Sequence, residues 1–225
     1  MRDRSNIRPT GKRARVAIEP DDEKHLLRAL DTWADTGTLV ALRTRAFVLL
    51  LWDGSVRTSG ALTLNVEDVV KDPKARRPTV LKTIMQPPCA ANDYRKRPIA
   101  LSARAQDAIA DYLRGAQLRG LLAPQRLQGP LFLADVRDEE GQRLSKRSAI
   151  HNWEMFQLKH VSGCSRIYQL EDVVYTGRLK FMKAAGGDIE MLSSHTGLSR
   201  RWAAEYRHDS NITPEDVMEK LDQMG

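Results

Sequence analysis

The run Ala46-Phe-Val-Leu-Leu-Leu-Trp52 is apolar at every position, so a helix through it has no face to turn toward water. Such a helix must be surrounded on all sides. It is also far shorter than the ~20 apolar residues that cross a bilayer. The rest of the chain therefore has to fold around it, as a buried helix over residues 39–52. Arg57 follows just past this run, and Leu64 and Asp68 follow at fixed offsets. An arginine beside a core helix is costly to desolvate unless an anion meets it, and a phosphate is one such anion.

The flanking patterns supply the layers around that helix. From Pro20 the spacing predicts a helix. Asp21, Asp22 and Glu23 suit its positive end, Leu26, Leu27, Leu30 and Trp33 share a face, and Gly37 stops it. A short helical stretch runs from Arg57 to Leu64. Pro78–Met85 and Arg97–Leu101 read as the strands of a β-hairpin, with Pro87, Pro88, Asn92 and Asp93 in a long connection. Ser102 caps a helix carrying Ala105, Ile109, Tyr112 and Leu113, and Ser145 opens another with Ile150, Trp153 and Phe156. Beyond Leu170 the chain reads as helical, with breaks at Gly186-Gly187 and Thr196-Gly197. Its last helix opens at Thr213-Pro214-Glu215-Asp216 and has an apolar stripe of Val217, Met218, Leu221 and Met224. The fold class is mainly α, or α+β, with a small antiparallel hairpin sheet. In 225 residues, 41% hydrophobic, one core with appendages is expected.

A formal net charge of +7 favours a polyanionic partner. The basic excess is concentrated at the start: Arg2, Arg4, Arg8, Lys12, Arg13 and Arg15 stand against Asp3 alone. Such a stretch reads as a flexible arm of the kind that tracks phosphates, or as an ordinary disordered terminus. Cys89 and Cys164 form no CxxC pair and no metal-ligand spacing, so neither a disulfide framework nor a metal site is expected, and a reducing cytoplasm fits. No P-loop, dinucleotide fingerprint, secretory signal or membrane span is present in the pattern, and no cofactor is implied.

The segment from Thr44 to Val69 resembles the first conserved box of tyrosine recombinases (phage integrases), "R-x-x-h-h-h-h-h-x-T-G-h-R-h-S-E-L-h-x-L-x-x-x-D-h". Arg57, Leu64 and Asp68 fall on its arginine, leucine and aspartate, while Gly60 stands where the family has glutamate. The stretch Leu81-Lys-Thr-Ile-Met85 and the downstream Arg95-Lys-Arg-Pro-Ile-Ala-Leu-Ser102 are similar to the family's hairpin, with Lys82 at its lysine. A solvated lysine on a sheet edge is the alternative. Lys183-Ala-Ala-Gly-Gly-Asp-Ile189 and the stretch from His195 to Tyr206-Arg-His208 are similar to the family's C-terminal boxes. The resemblance implies a tyrosine-recombinase catalytic-domain fold and a DNA substrate. It also implies phosphoryl transfer by Tyr206, with Arg57, Lys82, Arg178 and His195 as catalytic partners.

The same resemblance carries departures. The spacing from His195 to Tyr206 is about two residues too long, and the usual spacing puts Gly197 at the histidine position. Laid without a gap, the family's "H-x-L-R-H" box falls on Asp172-Val-Val-Tyr175-Thr176, so Arg178 enters only through a gap of about one helical turn. The expectation is a degenerate, inactive catalytic set in a DNA-binding protein that acts as a regulator or accessory factor of a mobile element. A minimal active recombinase is the alternative. A third reading overlaps the same residues. Asp188 to Ala203 resembles a helix-turn-helix presenting Arg200 and Arg201 to a groove, as a transcription factor would, or it is an ordinary helical hairpin. Arg95, Lys96, Arg97, Lys146 and Arg147 complete the expected DNA contacts.

The expected organisation is a flexible basic arm over 1–19, a recombinase-like domain over 20–210 with no separate domain before it, and a C-terminal helix over 211–225. That helix would dock on a neighbouring protomer or on its own core. Expected partners are double-stranded DNA and, at least on DNA, a second copy, with no membrane. The expected location is the prokaryotic cytoplasm, at the nucleoid.

Overall fold

The computed structural model describes residues 14–71, 81–86, 97–122, 128–134, 141–210 and 212. The apolar run forms α2 (Leu39–Asp53), capped by the Thr38 side chain and buried along nearly its whole length. It is the axle of the fold. Around it pack α1 (Pro20–Ala34), α3 (Thr58–Thr63), α4 (Ala103–Leu118), α5 (Lys146–His160) and α6 (Leu170–Ala184). Ser102 and Ser145 cap α4 and α5, each accepting from the backbone N–H three residues on, as their sequence patterns require. Gly37 adopts the left-handed conformation (φ 67°) that ends the approach to α2.

A three-stranded antiparallel sheet lies beside the helices, in the order β1 (Val69–Lys71), β2 (Leu81–Gln86), β3 (Arg97–Ala100). The hairpin pairs Thr83 with Ala100 and Gln86 with Arg97. β1 pairs Val69 with Ile84 and was not evident from the sequence, being only three residues long. Pro98 has no N–H for a ladder and sits in β3, an edge strand, where one side needs none.

Beyond α6, the Gly186-Gly187 break leads into α7 (Ile189–Thr196) and then α8 (Arg200–Asp209), joined through left-handed Gly197 (φ 69°). This pair has a small core of its own. Met182, Leu192, Leu198, Ala203 and Tyr206 bury one another against the end of α6.

Residues 14–19, expected to belong to a free arm, are instead laid along α6. The Val16 N–H donates to Asp172 Oδ1 at 2.9 Å, and the Ile18 N–H donates to Thr176 Oγ1 at 2.9 Å. Ile18 is buried in the main core. The remainder of the arm and the apolar stripe of Val217 to Met224 lie outside the described residues. In the first turn of α1, the buried Asp22 carboxylate accepts from the Ser165 N–H and hydroxyl and from the Tyr168 hydroxyl at 2.7 Å. These bonds fasten α1 to the segment before α6. No helix among the described residues is long and apolar enough to cross a membrane.

The tightest contact in the fold is between α6 and α2. A Cβ on Gly177 would stand 2.0 Å from the Trp52 carbonyl oxygen and 2.9 Å from its carbon. Backbone atoms cannot yield as a flexible side chain does. Gly177→Ala should therefore cost about 3 kcal/mol of stability, the upper end of overpacking, read as a lowered urea midpoint. A stability equal to wild type would contradict the packing described here.

Candidate functional site

α6 carries Glu171, Val174, Tyr175 and Arg178, spaced so that all four share one face. α8 carries Trp202 and Tyr206, one turn apart. These two faces, together with Arg57 and the start of α3, Lys146 at the start of α5, and Arg15, line a cleft of about 390 Å³. Four cationic side chains border it: Arg15, Arg57, Lys146 and Arg178. One carboxylate, Glu171, opposes them, with its oxygen 3.7 Å from the Lys146 ammonium.

Arg178 is the buried member of this set, 4% exposed. Its Nε and Nη2 donate to the Ser55 carbonyl at 3.3 and 3.2 Å, and its Nη1 donates to the Tyr206 hydroxyl at 3.1 Å. Ser55 has φ 53°, the only non-glycine residue with a positive φ among those described. Strained backbone of this kind persists only where its surroundings over-determine it. Here it turns the chain out of α2 toward Arg57 and leaves the Ser55 carbonyl facing Arg178. Tyr206 is 2% exposed. Its hydroxyl accepts a second bond, from Arg15 Nη1 at 2.9 Å, and the Arg178 guanidinium also lies 5.6 Å from the centre of its ring.

Arg57, read from the sequence as desolvated beside the core, is exposed at the N-terminal cap of α3. The chain leaves α2 through Gly54 and Ser55 before reaching it, so its guanidinium meets solvent in the cleft rather than the core. The structure thus brings Arg57, Arg178 and Tyr206 together. It does not bring His195 to them. The His195 ring stacks flat on Phe181, with centroids 4.2 Å apart and planes 3° apart, and it is not among the cleft's lining residues. Its Nε2 is buried with no hydrogen-bond partner among the described residues. Burial, and secondarily the charge of Arg178, push its pKa below the ordinary 6.5. Lys82 occupies β2 and Arg97 begins β3 by backbone. The side chains of both, and all of Arg95 and Lys96, lie outside what the structure describes.

The other expected DNA contacts are on the surface. Arg147 is exposed in the first turn of α5, and Arg201 is exposed on α8. Arg200 is engaged by Glu190 of α7 at 2.6 Å. Residues 188–203 form α7 and the start of α8, an arrangement that both the helix-turn-helix and the plain helical-hairpin readings expect. The inner face of α8 is committed to the cleft through Trp202 and Tyr206.

Sequence reasoning missed Arg15, Glu171, Tyr175 and Trp202. The helical spacing from Arg178 back to Glu171, and from Tyr206 back to Trp202, was the signal available for three of them. Tyr175 donates its hydroxyl to Asp209 at 2.8 Å. Its pKa is raised well above the usual phenol range by burial and by that carboxylate. One group of metal-type ligand atoms occurs among the described residues, from Asp22, His25 and Cys164, mutually within 4.8 Å. The Asp22 carboxylate already takes three donors there, which makes the group a structural fastening between α1 and the 161–169 segment.

No family profile matches the chain, and no curated protein matches it. Solved structures do. XerA recombinase superposes with a TM-score of 0.61 at 17% identity, covering 96% of this chain and 65% of its own. XerH site-specific recombinase, bound to palindromic difH substrate in a post-cleavage complex, gives 0.65 at 12% identity, covering 98% and 55%. The Tn1549 transposon integrase in complex with a circular intermediate DNA gives 0.61 at 14% identity, covering 94% and 67%. The chain is mostly helical and has a tyrosine-recombinase catalytic-domain-like fold. It spans 65% of the XerA chain and 55% of the XerH chain.

The half-buried His195 gives a signed pH dependence. Its folded pKa is lowered, so the unfolded chain binds the proton first as pH falls, and the stability that neutral His195 contributes above about pH 6.5 is lost below it. Stability should fall from pH 7 to pH 5, and His195→Gln should flatten that fall. Parallel profiles for the two proteins would show that His195 is not the titrating group.

Proposed function

We propose that the chain binds duplex DNA in this cleft, with Arg57 and Arg178 gripping one backbone phosphate beside Tyr206, and that it performs little or no strand transfer. The observation that carries this reading is a single cleft lined by an exposed guanidinium, Arg57, and a buried one, Arg178, which donates to the Tyr206 hydroxyl. Paired guanidiniums fit a phosphate through charge-assisted, bidentate hydrogen bonds. The recombinase-type fold and the net charge of +7 support DNA as the source of that phosphate.

Two features favour binding over chemistry. The Tyr206 side chain is 2% exposed and its hydroxyl is engaged by two arginines. The imidazole of His195 is stacked away from it. The protein then acts as a regulator or accessory DNA-binding factor of a mobile element, at the nucleoid. A second copy is proposed to dock through the stripe of Val217, Met218, Leu221 and Met224.

The active-recombinase reading keeps one observation in its favour, the 3.1 Å contact of Arg178 with Tyr206. It would use Arg57, Lys82, Arg178 and Tyr206, with transition-state charge met by the arginines. The two readings separate on a nicked duplex that traps a covalent intermediate. Wild-type protein should bind the duplex without forming a tyrosine-linked adduct. Arg57→Ala or Arg178→Ala should weaken binding roughly ten- to a hundredfold, the worth of a charge-assisted bond. An adduct that disappears with both Tyr206→Phe and Arg178→Ala would replace the binding reading with the enzymatic one.

A further inference from the structure

Arg15 contacts the same oxygen as Arg178. Its Nη1 donates to the Tyr206 hydroxyl at 2.9 Å, against 3.1 Å for Arg178 Nη1, so two guanidiniums meet at one phenol. Like charges at such range repel, and a neutral hydroxyl offsets only part of that repulsion. An anion is the ligand that would stabilise the arrangement. The residue is exposed and lines the cleft with Arg57, so an anion entering from solvent can reach it.

The position of Arg15 is set by its neighbours rather than by its own side chain. The Val16 N–H is held by Asp172 Oδ1 and the Ile18 N–H by Thr176 Oγ1, both at 2.9 Å, and Ile18 is buried. Asp172 and Thr176 are one turn apart on α6, the helix that carries Arg178. The Thr176 hydroxyl donates back to the Asp172 carbonyl at 2.8 Å while accepting from Ile18, so its orientation is fixed at both ends. One helix therefore references both guanidiniums.

We propose that Arg15 is a phosphate-positioning residue of the cleft, delivered there by the tether of residues 16–18 to α6. The inference rests on the DNA-binding reading and extends it to a third guanidinium. A preorganised side chain gives up less entropy on binding than one on a free arm, so the tether should matter as well as the charge.

The test is a salt series of duplex-DNA titrations on wild type, Arg15→Ala, Arg15→Lys, Thr176→Val and the double variant Arg15→Ala/Thr176→Val, with a thermal melt of each. Arg15→Ala should lower affinity and make the slope of log K against log salt shallower by about 0.9, one phosphate contact. Arg15→Lys should keep the slope while losing part of the affinity. Thr176→Val should weaken binding, and the double variant should bind no more weakly than Arg15→Ala alone. Val16→Pro, which deletes the other tether donor, replaces Thr176→Val if that variant melts early. Unchanged affinity and slope in Arg15→Ala, alongside losses in Arg57→Ala and Arg178→Ala, would overturn this inference and leave the DNA reading intact. Full additivity of the Thr176 and Arg15 effects would overturn the tether. Wild-type protein with no salt-dependent duplex binding would overturn the DNA reading itself.

Discussion

α6 can lie against α2 backbone to backbone only because position 177 has no side chain. The next residue is Arg178. With the helices this close, its guanidinium reaches the Ser55 carbonyl, just past the end of α2, and its other arm reaches Tyr206 on α8. The elements that bear the cleft are thus joined through one side chain. A longer interhelical distance would stretch those contacts out of hydrogen-bonding range. The same helix also holds residues 16–18 through Asp172 and Thr176. Its register therefore sets the position of every cleft residue on that side.

Most of the fold was legible because it depends on local chemistry. The all-apolar run fixed α2, serine caps fixed the starts of α4 and α5, and glycines marked the ends before α2, α7 and α8. The hairpin followed from β-branched runs flanking turn residues. β1 was not legible, because three residues carry no periodicity and their pairing with β2 is a tertiary event. Residues 14–19 were assigned to a free arm for a related reason. Their bonds go to side chains on a helix more than 150 positions away, and the basic residues before them dominated the composition.

The site was legible in part. Arg57 and Tyr206 were found from their boxes and do face the same cleft. Arg178 had appeared displaced, because a box aligned without a gap ends on Tyr175 and Thr176. Tyr175 and Arg178 are three residues apart, which on a helix keeps them on one face. A displacement of one turn shifts a residue along the cleft wall without turning it out of the cleft. Arg178 accordingly lines the cleft despite its displaced position in the sequence. At His195 the opposite holds, since a histidine in a matching segment proved to be a stacking partner for Phe181.

The state of Tyr206 follows from a competition among acceptors. Two guanidiniums now donate to its hydroxyl, a neutral oxygen that competes poorly with an anionic one. A phosphate carries full negative charge and can accept from both arms of a guanidinium, which a single phenol oxygen matches poorly. On the DNA reading, a phosphate entering between Arg15, Arg57 and Arg178 would draw both donors away from the phenol and leave its oxygen free. Freedom alone does not make it a nucleophile. The proton on that oxygen needs an acceptor, and the nearby Tyr175 is itself a strongly retained phenol whose hydroxyl is committed to Asp209. On that reading the guanidiniums hold the phosphate, and whether the phenol reacts turns on the carboxylates around it, Glu171 on the cleft wall beside Lys146 and Asp209 bonded to Tyr175.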